Sequence, residues 1–450
     1  MRAHLWVQLR AVEGGLVRRQ SGSRHTGKKM VSDKDIKKIL DNVRRERLVD
    51  LTRALIDIPS ATGHEAEVAK FLVNYMTDIG LETQLQEISE GRYNAIGRLR
   101  GTGGGMKLLF NGHTDTSYSG KETVLQGGGY KTQSYLVDGE WIYGAGSNNM
   151  KSAIAGYIEA VRAIIEAKVE LPGDILIAGV AGEIETGPVD EFRGCDYAAH
   201  GIGTLHLIRH GLAVDCCILG EPTAFQVTPW HFGTVWVAFR TRGTMAHTAF
   251  QDRAVNAIDK SMLVYNGLKV WSEGYRERNV FNGMKPNVII SAMRGGWPWR
   301  VSRVPVFCDI FMDVRLSPAS TVVELKAELE LFLADLKQKH PTLVCDVEFY
   351  GSGPGTHIDQ ESQVVESICA AHRAVFNSEP KVGGVNFYSD AAHLNRYQIS
   401  TVNYGLSGRL RTGGEGFDPS EGEHQSISDL VAGTKVYALA ALDIAARKRT

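Results

Sequence analysis

Leu108–Leu109–Phe110–Asn111–Gly112–His113–Thr114–Asp115–Thr116 decides how this chain is read. Apolar residues run straight into a His-x-Asp, which predicts a buried strand delivering an imidazole and a carboxylate at its end. Open α/β sheets place their chemistry at the carboxyl ends of strands. A neutral imidazole is a common metal ligand, and its second ring nitrogen usually donates to an oxygen. His113 therefore reads as a ligand and Asp115 as the group that orients it. Taken alone, the stretch fits a strand-end turn with a polar pair at least as well, so its neighbours decide.

Three further apolar runs end in the same way. Trp141–Ile142–Tyr143 leads into Gly144–Ala145–Gly146–Ser147–Asn148–Asn149–Met150–Lys151. Residues 175–181 lead into Gly182–Glu183–Ile184–Glu185, and Cys216–Leu219 into Gly220–Glu221–Pro222–Thr223. The unbroken apolar run at 175–181 has the pattern of a central parallel strand. Strand–helix alternation with functional groups at strand ends predicts an α/β sheet with its site at one edge.

Working outward, residues 34–80 are helical in pattern, broken near Pro59, with Thr62 and Glu65 spaced as a capping box. Strands are expected at 82–88 and 94–99, and a helix at 152–167. The texture changes at Gln226. An alternating strand with one exposed face (234–241), a helix (246–267), strands (287–293, 306–315), a helix (321–339) and a strand (343–349) follow. That β-α-β-β-α-β order is the ferredoxin-like split motif. The fold class is therefore α/β: a mixed-sheet catalytic domain (30–225 and 352–450) carrying an inserted ferredoxin-like lid (226–351). A helix at 363–376, a strand at 400–404 and a helix at 427–446 complete the outer domain. Trp230 and His231 flank the hinge into the insert, positioned to close over a substrate.

With 450 residues, two domains are the natural expectation. Lys+Arg 50 against Asp+Glu 51 gives no global attraction to nucleic acid or an anionic membrane. The cysteines form no C-x-x-C, and several sit in apolar runs, which predicts free thiols in a reducing, cytoplasmic compartment. No apolar run is long enough to span a bilayer. Residues 1–29 are rich in Arg and Lys, with Glu13 their one acid and no continuous apolar core. This excludes a secretory signal but also describes a transit peptide. We read it as a disordered extension, with Met30 as the start of the fold.

Together with Gly243–Thr244–Met245–Ala246–His247 and Pro286–Asn287–Val288, these motifs resemble the M20 family of metallopeptidases and deacylases. That group contains acetylornithine deacetylase and succinyl-diaminopimelate desuccinylase, and the resemblance runs from about Leu48 to Ala446. It implies a di-zinc α/β domain, an inserted lid that commonly dimerises, and hydrolysis of an amide bond in a small substrate. By resemblance, His113 and Glu221 are metal ligands, Glu183 is the general base, and His247 stabilises the oxyanion from the lid, often the partner subunit's. By the same resemblance Asn287 contacts substrate, or nearly equally it is a strand-start turn residue after Pro286. Asp390, His393 and Arg396 line the cleft, or equally start a solvated helix. Arg409 and Arg411 stand in the family's carboxylate-binding loop, or equally in a solvated basic turn. Arg315 resembles a family position and reads equally as a structural ion-pair partner. Trp297 and Trp299 sit in a Gly/Pro-rich turn and decide nothing.

The departures are informative. The family's bridging aspartate is Asn149 here, the second of its paired glutamates is Ile184, and counting back four from Glu423 or Glu421 gives Pro419 or Phe417 instead of its C-terminal histidine. Everything unique to the second metal site is gone. The expectation is one divalent ion (zinc, or manganese or cobalt) held by His113, Glu221 and the Asn149 carbonyl oxygen. The register across Glu183 is open by one place: shifted, Glu183 becomes a ligand, Glu185 a substitute base, and Asp418 or His424 the replacement for the lost histidine. The expected activity is metal-dependent hydrolysis of an amide or related C–N bond in an acyl-amino-acid-like small molecule, by a homodimer joined through the lid. The alternatives are an aminohydrolase of an atypical C–N bond and a degenerate member that binds without turnover; retention of a base argues against the last.

Overall fold

The computed structural model describes residues 31–184, 186–406 and 408–449; the N-terminal extension, Met30 and Glu185 lie outside them. The chain opens with helices α1 (Asp33–Asn42), α2 (Arg45–Asp57) and α3 (Ala66–Asp78), then strands β1 (Glu82–Ser89), β2 (Arg92–Leu99), β3 (Leu108–His113), β4 (Tyr135–Val137) and β5 (Trp141–Tyr143). Helix α4 (Lys151–Ala167), β6 (Ile175–Val180), α5 (Ile202–Arg209), β7 (Cys216–Leu219) and β8 (Val227–His231) follow. The insert is β9 (Gly233–Arg242), α6 (Ala257–Arg278), β10 (Val288–Gly295), β11 (Phe307–Leu316), α7 (Val322–Lys339) and β12 (Val344–Gly353). The chain closes with β13 (Thr356–His357), α8 (Gln363–Phe376), β14 (Val382–Val385), α9 (Ala391–Arg396), β15 (Ser400–Asn403), β16 (His424–Ser426) and α10 (Ile427–Ala446).

The large mixed sheet runs β1-β2-β6-β3-β7-β15-β8-β13, with β14 beside β8. Strands β6, β3, β7 and β15 are parallel at its centre, where apolar side chains on both faces are covered by helices. β5 is not among them: it pairs with β4 and β16 in a separate small sheet. The insert has its own four-stranded antiparallel sheet, β10-β11-β9-β12, and its own core under α6 and α7. Among the described residues no helix is long and apolar enough to cross a membrane.

Three local expectations are corrected. Thr62 and Glu65 form no capping box: the Thr62 hydroxyl donates to Asp115 (2.9 Å), while Glu65 pairs with the buried Arg92 guanidinium. Bonds to buried charges outweigh a helix cap there; capping boxes form instead at Ser32/Asp35 and Thr321/Glu324. The helix expected at 246–267 is a short 3₁₀ segment, Thr248–Arg253, then an extended Ala254, and α6 starts only after Asn256, whose side chain caps Ile258 N–H. Strand β9 is buried on both faces nearly throughout, because α6 packs on one side and the 187–193 loop meets Trp236 and Arg240 on the other.

Candidate metal centre

His113 ends β3 fully inside the molecule. Gly112 is required before it, since a Cβ there would meet Met150 and Ile154 of the α4 start at 2.9 Å. The ring Nδ1 lies 2.9 Å from the backbone carbonyl of Asp115. A carbonyl only accepts, so Nδ1 donates, which turns Nε2 towards the centre. Orientation thus comes from the Asp115 main chain, with its carboxylate more distant at 3.5 Å. That carboxylate instead accepts from the N–H groups of Glu183 and Ile184, both at 3.1 Å, and from Thr62. Asp115 therefore holds the β6 exit, and Glu183 with it, against the β3 exit.

Nε2 faces acceptors. Asn149 Oδ1 is at 2.9 Å, Glu183 Oε2 at 3.8 Å and Glu221 Oε1 at 4.0 Å. The ligand atoms of His113, Glu183 and Glu221 all lie within 4.8 Å of one another, and all three residues are buried. Three oxygens gathered around His113 Nε2 favour positive charge there, and a cation that displaced the ring proton would meet the Nε2 lone pair and those oxygens together. This His/carboxylate/carbonyl set suits a divalent ion of intermediate hardness. Burial disfavours a charged His113 ring, but Asp115, Glu183 and Glu221 outweigh it and raise its pKa well above the ordinary value. Burial, then the Glu221 charge, raise Glu183 well above the usual carboxyl range. Burial pushes Asp115 up, but the His113 ring, the Glu183 N–H and Thr62 prevail and leave it lowered.

The loop that carries Asn149 is pinned by a residue to which sequence reasoning gave no role. Glu423 Oε2 accepts from the N–H groups of Gly146 (3.1 Å), Asn148 (3.2 Å) and Asn149 (2.9 Å). Nothing in the local pattern could have revealed this, because the partners are 274 or more residues apart. Lys151, also unremarked, is fully buried with Nζ on the carbonyls of Leu55 and Ile58, and burial lowers its pKa to about 7.

The remaining sequence candidates fall in several places. Asp390 is buried beside this centre, with Thr204 Oγ1 donating to its Oδ2 at 2.5 Å and Asn111 Nδ2 donating to Thr204; burial raises its pKa. His393 is turned towards Tyr388 and the His200 carbonyl. His424 and Asp418 do not join the cluster: His424 packs on Tyr143 and accepts from Arg411 N–H, and Asp418 holds Ser420. Arg409 is engaged by Asp429 and Ser426, and Arg411 by Glu421 and Tyr143. Trp230 and His231 are buried in β8, so they do not close over anything. His247 is exposed on the insert, its Nδ1 accepting from Ala249 N–H. Asn287 is exposed in a cleft of about 830 Å³ shared with Arg276, Arg315, Asn386 and Phe387. Arg315 itself pairs with Asp313 at 3.1 Å.

Comparison with known proteins gives a family and a fold. The family model described as Peptidase family M20/M25/M40 matches residues 109–443. Among solved structures, the di-peptidase Dug1p of Saccharomyces cerevisiae is similar at TM-score 0.72 and 13% identity, over 91% of this chain and 98% of that one. Human carnosine dipeptidase 1 is similar at TM-score 0.72 and 15% identity, over the same shares. A hydantoinase/carbamoylase family amidase from Burkholderia ambifaria follows at TM-score 0.58 and 15% identity, over 92% and 99%. At such identities these likenesses speak for the fold.

Proposed function

We propose that this chain, which belongs to peptidase family M20/M25/M40, a family of metal-dependent hydrolases of C–N bonds, acts with a single divalent ion on an amide or related C–N bond of a small acyl-amino-acid-like substrate. The observation that carries this reading is the buried His113 Nε2, ringed by Asn149 Oδ1, Glu183 and Glu221. His113, Glu221 and the Asn149 carbonyl oxygen would hold the ion, zinc being the best match to a mixed nitrogen and oxygen set. Such an ion polarises the scissile carbonyl and lowers the pKa of water.

Glu183 then accepts the water proton and hands it to the leaving nitrogen. Its backbone N–H, tied to Asp115, fixes its approach. Asn149 needs no charge in this scheme, because with one ion there is no second cation to neutralise. The insert supplies His247 as oxyanion donor and Asn287 as substrate contact. Both stand on its exposed surface, and β10, one of the two edge strands of its sheet, exposes Ile289 and Met293. These features support a homodimer through the insert, in which one protomer's His247 and Asn287 serve its partner's centre.

The test is turnover of N-acyl amino acids, dipeptides and carbamoyl amino acids by metal-loaded protein, with loss on chelation and recovery on adding back one equivalent. Absence of turnover on all three substrate classes would overturn the proposal in favour of a binding protein.

A further inference from the structure

Between β6 and α5 the chain makes a long excursion, and Glu183 stands on its outgoing limb. Its ends are closed on each other: Gly201 N–H donates to the Gly182 carbonyl (2.9 Å) and Gly203 N–H to the Ala181 carbonyl (3.0 Å). Its returning limb is held from within the main domain, where the buried Arg92 guanidinium donates to the carbonyls of Cys195 and Ala198. The tip is held by the insert. Val189 and Phe192 pair with each other across a tight turn that puts Asp190 at φ 52. The Asp190 carboxylate accepts from Arg240 of β9 (2.9 Å) and Arg294 of β10 (2.7 Å), and Glu191 takes a second nitrogen of Arg294. Below the tip, Gly187 lies flat on Trp236 and Tyr350, where a Cβ would approach to 3.1 Å.

We infer that Asp190, clamped by Arg240 and Arg294, is a positioning device through which the insert sets where Glu183 stands relative to His113 and Glu221. This rests on the reading of Glu183 as the group that moves the proton. The limb from Glu183 to Asp190 spans at most about 25 Å when extended. At its own end the limb is held by the Glu183 and Ile184 amides on Asp115 and by the Gly182 carbonyl, which accepts from Gly201 N–H, while Thr186 Oγ1 reaches the Tyr197 carbonyl of the returning limb at 3.4 Å. A limb anchored at one end on the main domain and at the other on the insert transmits relative movement of the two. Arg240 also serves Asp309 and Glu348, so it is not the residue to remove; Asp190 and Arg294 are partly exposed and belong to neither apolar core.

The experiment uses the full chain with Asp190→Asn, Asp190→Glu and Arg294→Gln, read by amide hydrogen exchange without metal and by kinetics with it. Exchange of the Glu183 and Ile184 amides is expected to speed up about tenfold in Asp190→Asn and Arg294→Gln, with β3 and β7 peptides unchanged. kcat should fall about tenfold with KM within twofold, and Asp190→Glu should restore both readouts. Unchanged exchange at Glu183 and Ile184 in a folded Asp190→Asn protein overturns the inference, as does faster exchange with unaltered kcat. If the parent turns over nothing, the proposed function fails while the exchange readout still judges the clamp.

Discussion

Replacing Glu183 by glutamine keeps the shape of the side chain and removes its ability to take a proton. In the structure this carboxylate is buried, its Oε2 lies 3.8 Å from His113 Nε2, and its backbone N–H is bound to Asp115. The variant leaves His113, Glu221 and Asn149 in place, so the ion should remain. Loss of a general base costs about 10²–10⁴ in rate, which at 1.36 kcal/mol per decade is roughly 2.7–5.4 kcal/mol of transition-state stabilisation. Uniform substrate binding is untouched, so the loss should fall on kcat with KM nearly constant. Removing a carboxylate that burial and Glu221 hold well above its ordinary pKa should also leave the metal-free protein no less stable. The assay pairs steady-state kinetics on an acyl-amino-acid panel with metal content by mass spectrometry. Turnover within threefold of the parent would refute the base assignment. Loss of the metal together with turnover would refute it differently, by making Glu183 a ligand.

Further outcomes follow from the same geometry. Metal content of the gently purified chain should be one divalent ion per protomer, falling to none in His113→Ala; two tightly held ions would contradict the single-ion reading. Burial lowers the His231 pKa from 6.5 to about 4. The unfolded chain therefore binds a proton there before the folded one does, and stability falls as pH drops from 6.5 to 4. The total is about 3 kcal/mol at 1.36 kcal/mol per unit, so urea melts of His231→Leu should show a loss shallower by that amount over this window. Ala224, at φ 50 in the turn just beyond Glu221, is left-handed without being glycine; Ala224→Gly should raise unfolding stability by about 1 kcal/mol, and a destabilised variant would show that the turn is not strained.

The sequence by itself determined the parallel strands, since unbroken apolar runs at β3, β6 and β7 admit only a sheet covered on both faces. Elements β9 to β12 with α6 and α7 follow a β-α-β-β-α-β order, as the patterning after Gln226 predicts; that His113, Glu183 and Glu221 meet was half legible, since each follows an apolar run, but only the sheet order β6-β3-β7 puts those runs side by side. What it left undecided were contacts between residues remote in the chain. Thr62 and Glu65 have the spacing of a cap, yet Asp115 and Arg92 claim them, because a buried charge gains more from a hydrogen bond than a solvated helix end does. Glu423 holds the Asn149 loop from the far end of the chain, and Asp190 meets Arg240 and Arg294 across the two sheets. Local pattern records propensity and periodicity; which buried charge pairs with which donor is fixed only when the sheets are packed, and the contacts of Asp115 and Glu183 were fixed there.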